Sequence, residues 1–233
     1  MSELEIVRDL ARQTLTVATV GGEFDNSLWD RAERLVRNTE YICRLPEFAG
    51  TALQVDRFCL KGGAYFCEAG LARRIEQAKG AVRFVAREAE NKDLLELSAQ
   101  TAVEKLKGVV ESSRIDKIAV IITESGDRFT RMTEAMVLSD ARNLDDMGVI
   151  GIFNESRRYV FDGKGPSDAL QSWKNKVDYR YWQARLKEGF RFEEVRRIAE
   201  LRLAAAESFM NQLKFETEAQ DLKDMAVALQ ETE

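Results

Sequence analysis

No histidine occurs among the 233 residues, so the chemistry open to this chain is that of carboxylates, amines, guanidiniums, phenols and thiols. Neutral imidazole is the commonest transition-metal ligand and the usual general base near neutral pH. Its absence removes the Ser-His-Asp triad, the Cys-His pair and every histidine-containing metal site. The three cysteines, Cys43, Cys59 and Cys67, form no C-x-x-C pair and read as reduced thiols. The run GKGP at 163–166 lacks the G-x-x-x-x-G-K-[ST] spacing of a phosphate-binding loop and reads as a turn. The 35 basic residues are outnumbered by 40 acidic ones, for a net charge of −5. That balance argues against a general nucleic-acid binder and leaves room for a local basic pocket.

The elements that must position any such groups are helical nearly throughout. Only two prolines, Pro46 and Pro166, interrupt the chain. Leu4, Ile6, Val7, Leu10 and Ala11 form the apolar stripe of a first helix. Gly21-Gly22 stops it, and Asp25, Asn26 and Ser27 are candidate caps for a second helix from about Leu28 to Arg44. Ala32, Leu35, Val36, Thr39 and Ile42 are its inward face. A third helix is predicted from about Thr51 to Leu71, apolar on most of its circumference and therefore central. Gly62 and Gly63 within it imply close packing against a neighbour rather than a break. Residues 73–111 read as two amphipathic helices split near Glu90–Asp93. Asp116 to Glu124, whose β-branched content also allows a strand, and Thr130 to Leu144 read as further helices, with a bend at Gly148 and Gly151. The irregular stretch after it allows a short β-hairpin near 155–165. Two helices, about 167–188 and 191–220, close the chain. The reading is one all-α domain over 1–233, a helical bundle, with a polar end at 219–233 expected to fray. The charged N-terminal residues carry no apolar leader, and no apolar run reaches membrane-span length. The expected setting is therefore cytoplasmic, with no membrane and no nucleic acid as partner.

Three segments carry a resemblance. Arg31-Ala32-Glu33-Arg34-Leu35-Val36-Arg37-Asn38-Thr39 is similar to the motif H-x-x-R-V-x-x-N-A. Ala64-Tyr65-Phe66-Cys67-Glu68-Ala69-Gly70 resembles A-x-x-H-D-x-G, and Asp140 to Ile152 resembles D-A-D-R-L-D-x-x-G-x-I-G-I. A weaker echo lies in Tyr181 to Leu186, Arg197 to Arg202 and Phe209-Met210. Together they resemble the HD-domain superfamily of metal-dependent phosphohydrolases, in its predicted bacterial branch, over residues of about 24 to 218. The resemblance implies a site in which two histidines and two aspartates hold a divalent metal. At the matching positions stand Arg31, Cys67, Glu68 and Arg142, and an additional family histidine falls at Glu124.

Guanidinium has no lone pair to donate and stays charged at ordinary pH. Ligands to a divalent cation are neutral or anionic. The expectation is therefore a degenerate site with no catalytic residues, no metal and no cofactor. In one version the guanidiniums of Arg31 and Arg142 stand in for the cation and pair with Glu68. In a second, Arg31, Arg34 and Arg142 converge with Lys61 on an anion, since arginine forks suit phosphate oxygens. A third keeps an enzyme through Cys67 as nucleophile, or through a metal on Glu68, Glu124, Asp140 and Asp145. Asp140 is expected to pair with an arginine across the bundle and Asp145 to cap a helix end near Gly148. The function expected is that of a pseudoenzyme binding a phosphate-containing or other anionic small molecule, or a protein partner. The alternative is an active HD-type hydrolase with an atypical site. The last amphipathic helix could serve a homodimer.

Overall fold

The computed structural model describes residues 2–48, 55–78, 82–86 and 92–223. Among them are eleven α-helices and one two-stranded antiparallel hairpin, so the chain is all-α with a small hairpin. The contacts divide it into two compact units, Met1–Asp145 and Asp146–Glu233, where the sequence reads as a single domain.

In the first unit, α1 (Glu3–Leu15) opens on a reciprocal capping box between Ser2 and Glu5. The Gly21-Gly22 stop is the turn of the hairpin, β1 (Val17–Ala18) against β2 (Phe24–Asp25). Both glycines have positive φ, 100° and 82°, which a side-chain-bearing residue rarely adopts. The hairpin therefore lies near the N-terminus. The stretch near 155–165, where local composition allows one, is the end of a helix and a turn. Of its aromatic and β-branched residues, Tyr159 is buried while Val160 and Phe161 are exposed at the helix end. Asn26 is the N-cap residue of α2 (Ser27–Ile42), yet it is Asp25 that accepts from the Ser27 N–H, at 2.8 Å. The inward face of α2 is as the periodicity predicts: Ala32, Leu35, Val36, Thr39 and Ile42 are all buried.

The predicted third helix is two helices, α3 (Arg57–Phe66) and α4 (Ala69–Gln77), and its expected start at Thr51 lies outside the described residues. The break falls at Cys67–Glu68. Ser98 holds it, donating to the Cys67 carbonyl and accepting from the Gly70 N–H, each at 2.8 Å. Ser98 belongs to α5 (Lys92–Leu106), and the split expected near Glu90–Asp93 falls mostly outside the described residues. Gly62 and Gly63 pack as expected, against α6 (Ser112–Glu124): a Cβ on either would come within 2.6 Å of Ile118 or 2.9 Å of Ile121. Finally α7 (Thr133–Asp145) packs on α2, α3 and α6 and buries most of its residues.

The second unit comprises α8 (Gly148–Phe161), α9 (Pro166–Asp178), α10 (Tyr181–Gly189) and α11 (Glu193–Thr217). Pro166 sits in the first turn of α9, where its missing N–H costs nothing. The helix expected over 167–188 is broken at Arg180, whose φ of 54° is left-handed. Ile152, Ala206 and Met210 form a buried cluster, with Leu170, Trp173 and Leu213 packed against it. Trp182 is buried and tilts on Trp173, ring centres 5.2 Å apart. Of the end expected to fray, 219–233, residues 220–223 are helical and 224–233 lie outside the described residues. No helix among the described residues is long and apolar enough to cross a membrane.

Candidate functional site

The first unit brings together four of the residues singled out above. Arg31 and Arg34 lie on α2, one turn apart and on one face. Glu68 sits at the start of α4, and Asp145 is the last residue of α7. Arg31 Nε donates to Glu68 Oε1 at 2.7 Å, and its Nη1 donates to Asp145 Oδ2 at 2.5 Å. Arg34 donates to both oxygens of the same aspartate, from Nε at 2.7 Å and from Nη2 at 3.2 Å. Two guanidiniums thus meet two carboxylates. Three helical elements distant in sequence are tied by one cluster, in the fork geometry that suits arginine and carboxylate.

The cluster is deep. The Arg31 side chain is 1% exposed, Asp145 2% and Glu68 8%, whereas that of Arg34 is 26% exposed. Arg31 is therefore a buried cation whose two named partners are buried anions. In such a setting the mutual attraction offsets a large loss of hydration, and deleting Arg31 takes a counter-charge from two buried carboxylates at once. The expected pairing of Arg31 with Glu68 is present. Asp145 does not act as the helix cap expected near Gly148: it faces α2 and receives both arginines. Its position at the very end of α7 makes both uses sterically open, and the pair of guanidiniums decides between them.

The other singled-out residues are distributed around this cluster. Arg142 is buried on α7 and donates from Nη1 to Ser125 Oγ at 3.0 Å, and Ser125 in turn donates to the Ile122 carbonyl. Asp140 is fully buried one turn before Asp145. Asn38, next on the α2 face, donates to the Ala141 carbonyl at 3.3 Å and fastens α2 to α7. Cys67 is buried and its Sγ–H donates to the Ala64 carbonyl within its own turn, as a packing thiol does. Glu124 is half-buried at the end of α6, beside Ser125. Lys61 is drawn to Glu40 of α2, at 2.5 Å, and this ion pair pulls the Glu40 carboxyl below the usual range. The convergence of Lys61 with the arginines on one anion is therefore not the arrangement seen. Sequence reading missed Ser98 and Ser125. Both are small polar residues on otherwise apolar helical faces, a pattern that marks a polar partner across the bundle but does not name it.

The donor set does not fit the divalent cation that the resemblance implies. Glu68 Oε1 and Asp145 Oδ2 accept from Arg31, and Arg31, at a ligand position, offers only N–H groups. Among the described residues no group of three or more Cys, Asp or Glu side chains is placed to hold a metal ion.

No family model matches the chain, and no curated protein matches it. Solved structures do. The chain is similar to Bacillus subtilis YpgQ, at 18% identity and a TM-score of 0.58, covering 93% of this chain and 97% of that one. It is similar to YpgQ in complex with ADP, at 18% identity and a TM-score of 0.59, covering 92% and 94%. A third match is the Lin1889 protein from Listeria innocua, at 18% identity, a TM-score of 0.57 and coverage of 94% and 98%. At these identities the likeness is one of fold.

Proposed function

We propose that this chain is a catalytically degenerate HD-domain phosphohydrolase-like protein that works by binding rather than by turnover. The observation that carries the reading is the buried Arg31 guanidinium, bonded at once to Glu68 and Asp145. At a position where the resemblance calls for a lone-pair donor, the chain places a permanent cation. The charge that a divalent ion would supply to two carboxylates is supplied by Arg31 instead, beside Arg34, the arginine that the motif itself carries. The helices keep their arrangement, and the electrophile is gone.

The ligand class that fits best is a phosphate-bearing small molecule. Support comes from the ADP held by the structurally similar YpgQ and from Arg34, the partly exposed member of the cluster. Arg34 is held by Asp145, which Arg31 also holds, so Arg34 can turn toward an anion without leaving the aspartate unpaired. A protein partner is the other class the reading allows. The test is a thermal-shift titration with ADP and inorganic phosphate, run beside a phosphatase assay with added Mn²⁺ or Mg²⁺. Stabilisation by ADP that Arg34→Ala removes, with no hydrolysis in either metal, is the expected result. Metal-dependent turnover that survives Arg34→Ala would replace this reading with that of an active hydrolase.

A further inference from the structure

A cavity in the first unit lies apart from the arginine cluster. It encloses about 540 Å³ between the end of α1, strand β1, the outer face of α4 and α5. That volume is in the range of small-molecule sites. None of Arg31, Arg34, Glu68 or Asp145 lines it.

Its lining has a definite hydrogen-bonding character. Three of its residues are threonines whose hydroxyl protons are already committed. Thr14 donates to the Leu10 carbonyl at 2.8 Å, Thr101 to the Leu97 carbonyl at 2.7 Å, and Thr16 to Asn26 Oδ1 at 3.2 Å. A hydroxyl that has donated its proton retains lone pairs, so each can serve only as an acceptor. Among the described residues the charged lining is balanced, with Arg73 and Lys105 against Glu76 and Glu104, and Arg73 donates to Glu104 at 2.9 Å. Val17 and Ala72 are buried apolar wall.

Such a lining carries no net charge that would favour an ion of one sign over the other. Fixed acceptors beside a guanidinium–carboxylate pair favour a ligand that both donates and accepts at many points without carrying charge. We propose that this cavity binds an uncharged, hydroxyl-rich small molecule of sugar or nucleoside size. Each ligand hydroxyl donates to a threonine oxygen or to a Glu104 oxygen and accepts from Arg73 or Lys105.

The test is saturation-transfer NMR on the full chain with D-glucose and adenosine as uncharged probes, and citrate and spermidine as charged ones. Ala18→Trp places a bulky ring at the exposed rim of the cavity, and Glu104→Ala removes an exposed acceptor. Transfer to glucose or adenosine that falls at least tenfold in both variants, while Arg34→Ala leaves it unchanged, supports the proposal. It is overturned if neither uncharged probe shows transfer, if transfer is confined to citrate or spermidine, or if it persists in Glu104→Ala. Loss with Arg34→Ala alone would place the binding at the arginine cluster and equally overturn it.

Discussion

Both units hold a cation against a carboxylate, and they do so at different depths. In the first, the Arg31 side chain is 1% exposed and tied to two carboxylates from two other helices. In the second, Lys176 of α9 binds both oxygens of Glu155 on α8, at 2.5 and 2.6 Å, with side chains 23% and 29% exposed. Lys176 also stands over the rings of Trp182 and Tyr181, at 5.4 and 5.8 Å. The distances are alike, and the consequences are not. Water still reaches the Lys176 pair and can take over either partner. Around Arg31 there is no such substitute, so the cluster behaves as one interlocked object. Depth, not contact distance, separates a charge that commits a fold from one that decorates it.

Arg31→Ala gives the largest expected effect. It should lower unfolding free energy by about 3–5 kcal/mol, because the buried Glu68 would lose its Arg31 partner and Asp145 would keep only the partly exposed Arg34. Urea denaturation followed by circular dichroism measures it, and a loss below about 1 kcal/mol would erase the contrast between the units. Gly63→Ala comes next. Its new Cβ would meet Ile121 at 2.9 Å, an overpacking that costs about 1–3 kcal/mol in the same assay. Lys176→Met should cost about 1 kcal/mol or less, since its hydrophobic stem is kept and the ion pair is partly wet. A loss as large as that of Arg31→Ala would mean that depth is not the deciding variable.

A pH titration sharpens the same point at a third ion pair. Burial pushes the Glu134 carboxyl up. The Asp56 N–H at 2.9 Å and Lys117 at 2.9 Å outweigh that and hold it below its usual value. A carboxyl depressed in the folded state contributes stability that is complete above its unfolded pKa and is lost as pH falls through the folded one. The melting temperature should therefore drop as pH falls below about 4.5, where an unfolded glutamate begins to protonate. In Glu134→Gln that part of the drop should be absent. An unchanged acid limb in this variant would assign the acid sensitivity to other groups.

Periodicity made the inward face of α2 legible, because each apolar residue there recurs at helical spacing. Gly62 and Gly63 were legible as packing glycines because the helix around them was too apolar to end. The break between α3 and α4 was not, because Cys67 and Glu68 are neutral to helix propensity and the device that turns the chain is Ser98, on another helix. The left-handed Arg180 was hidden for a related reason: no glycine marks the turn. At the candidate site, the resemblance placed Arg31, Glu68 and Arg142 in one pocket, and Glu68 was the expected partner of its arginines. The second partner, Asp145, was misread as a cap because local sequence describes the end of its own helix and not the helix that faces it. Long-range pairing of charges is a property of the packed chain, and one sequence does not specify it.

The central claim is that a guanidinium occupies the place where a divalent ion would need a lone pair. Mn²⁺ binding followed by electron paramagnetic resonance on the purified, chelator-treated chain tests it most directly. The account predicts that the free Mn²⁺ signal is undiminished at equimolar protein, in the wild type and in Glu68→Gln alike. Stoichiometric quenching of that signal in the wild type, abolished by Glu68→Gln or Asp145→Asn, would contradict it.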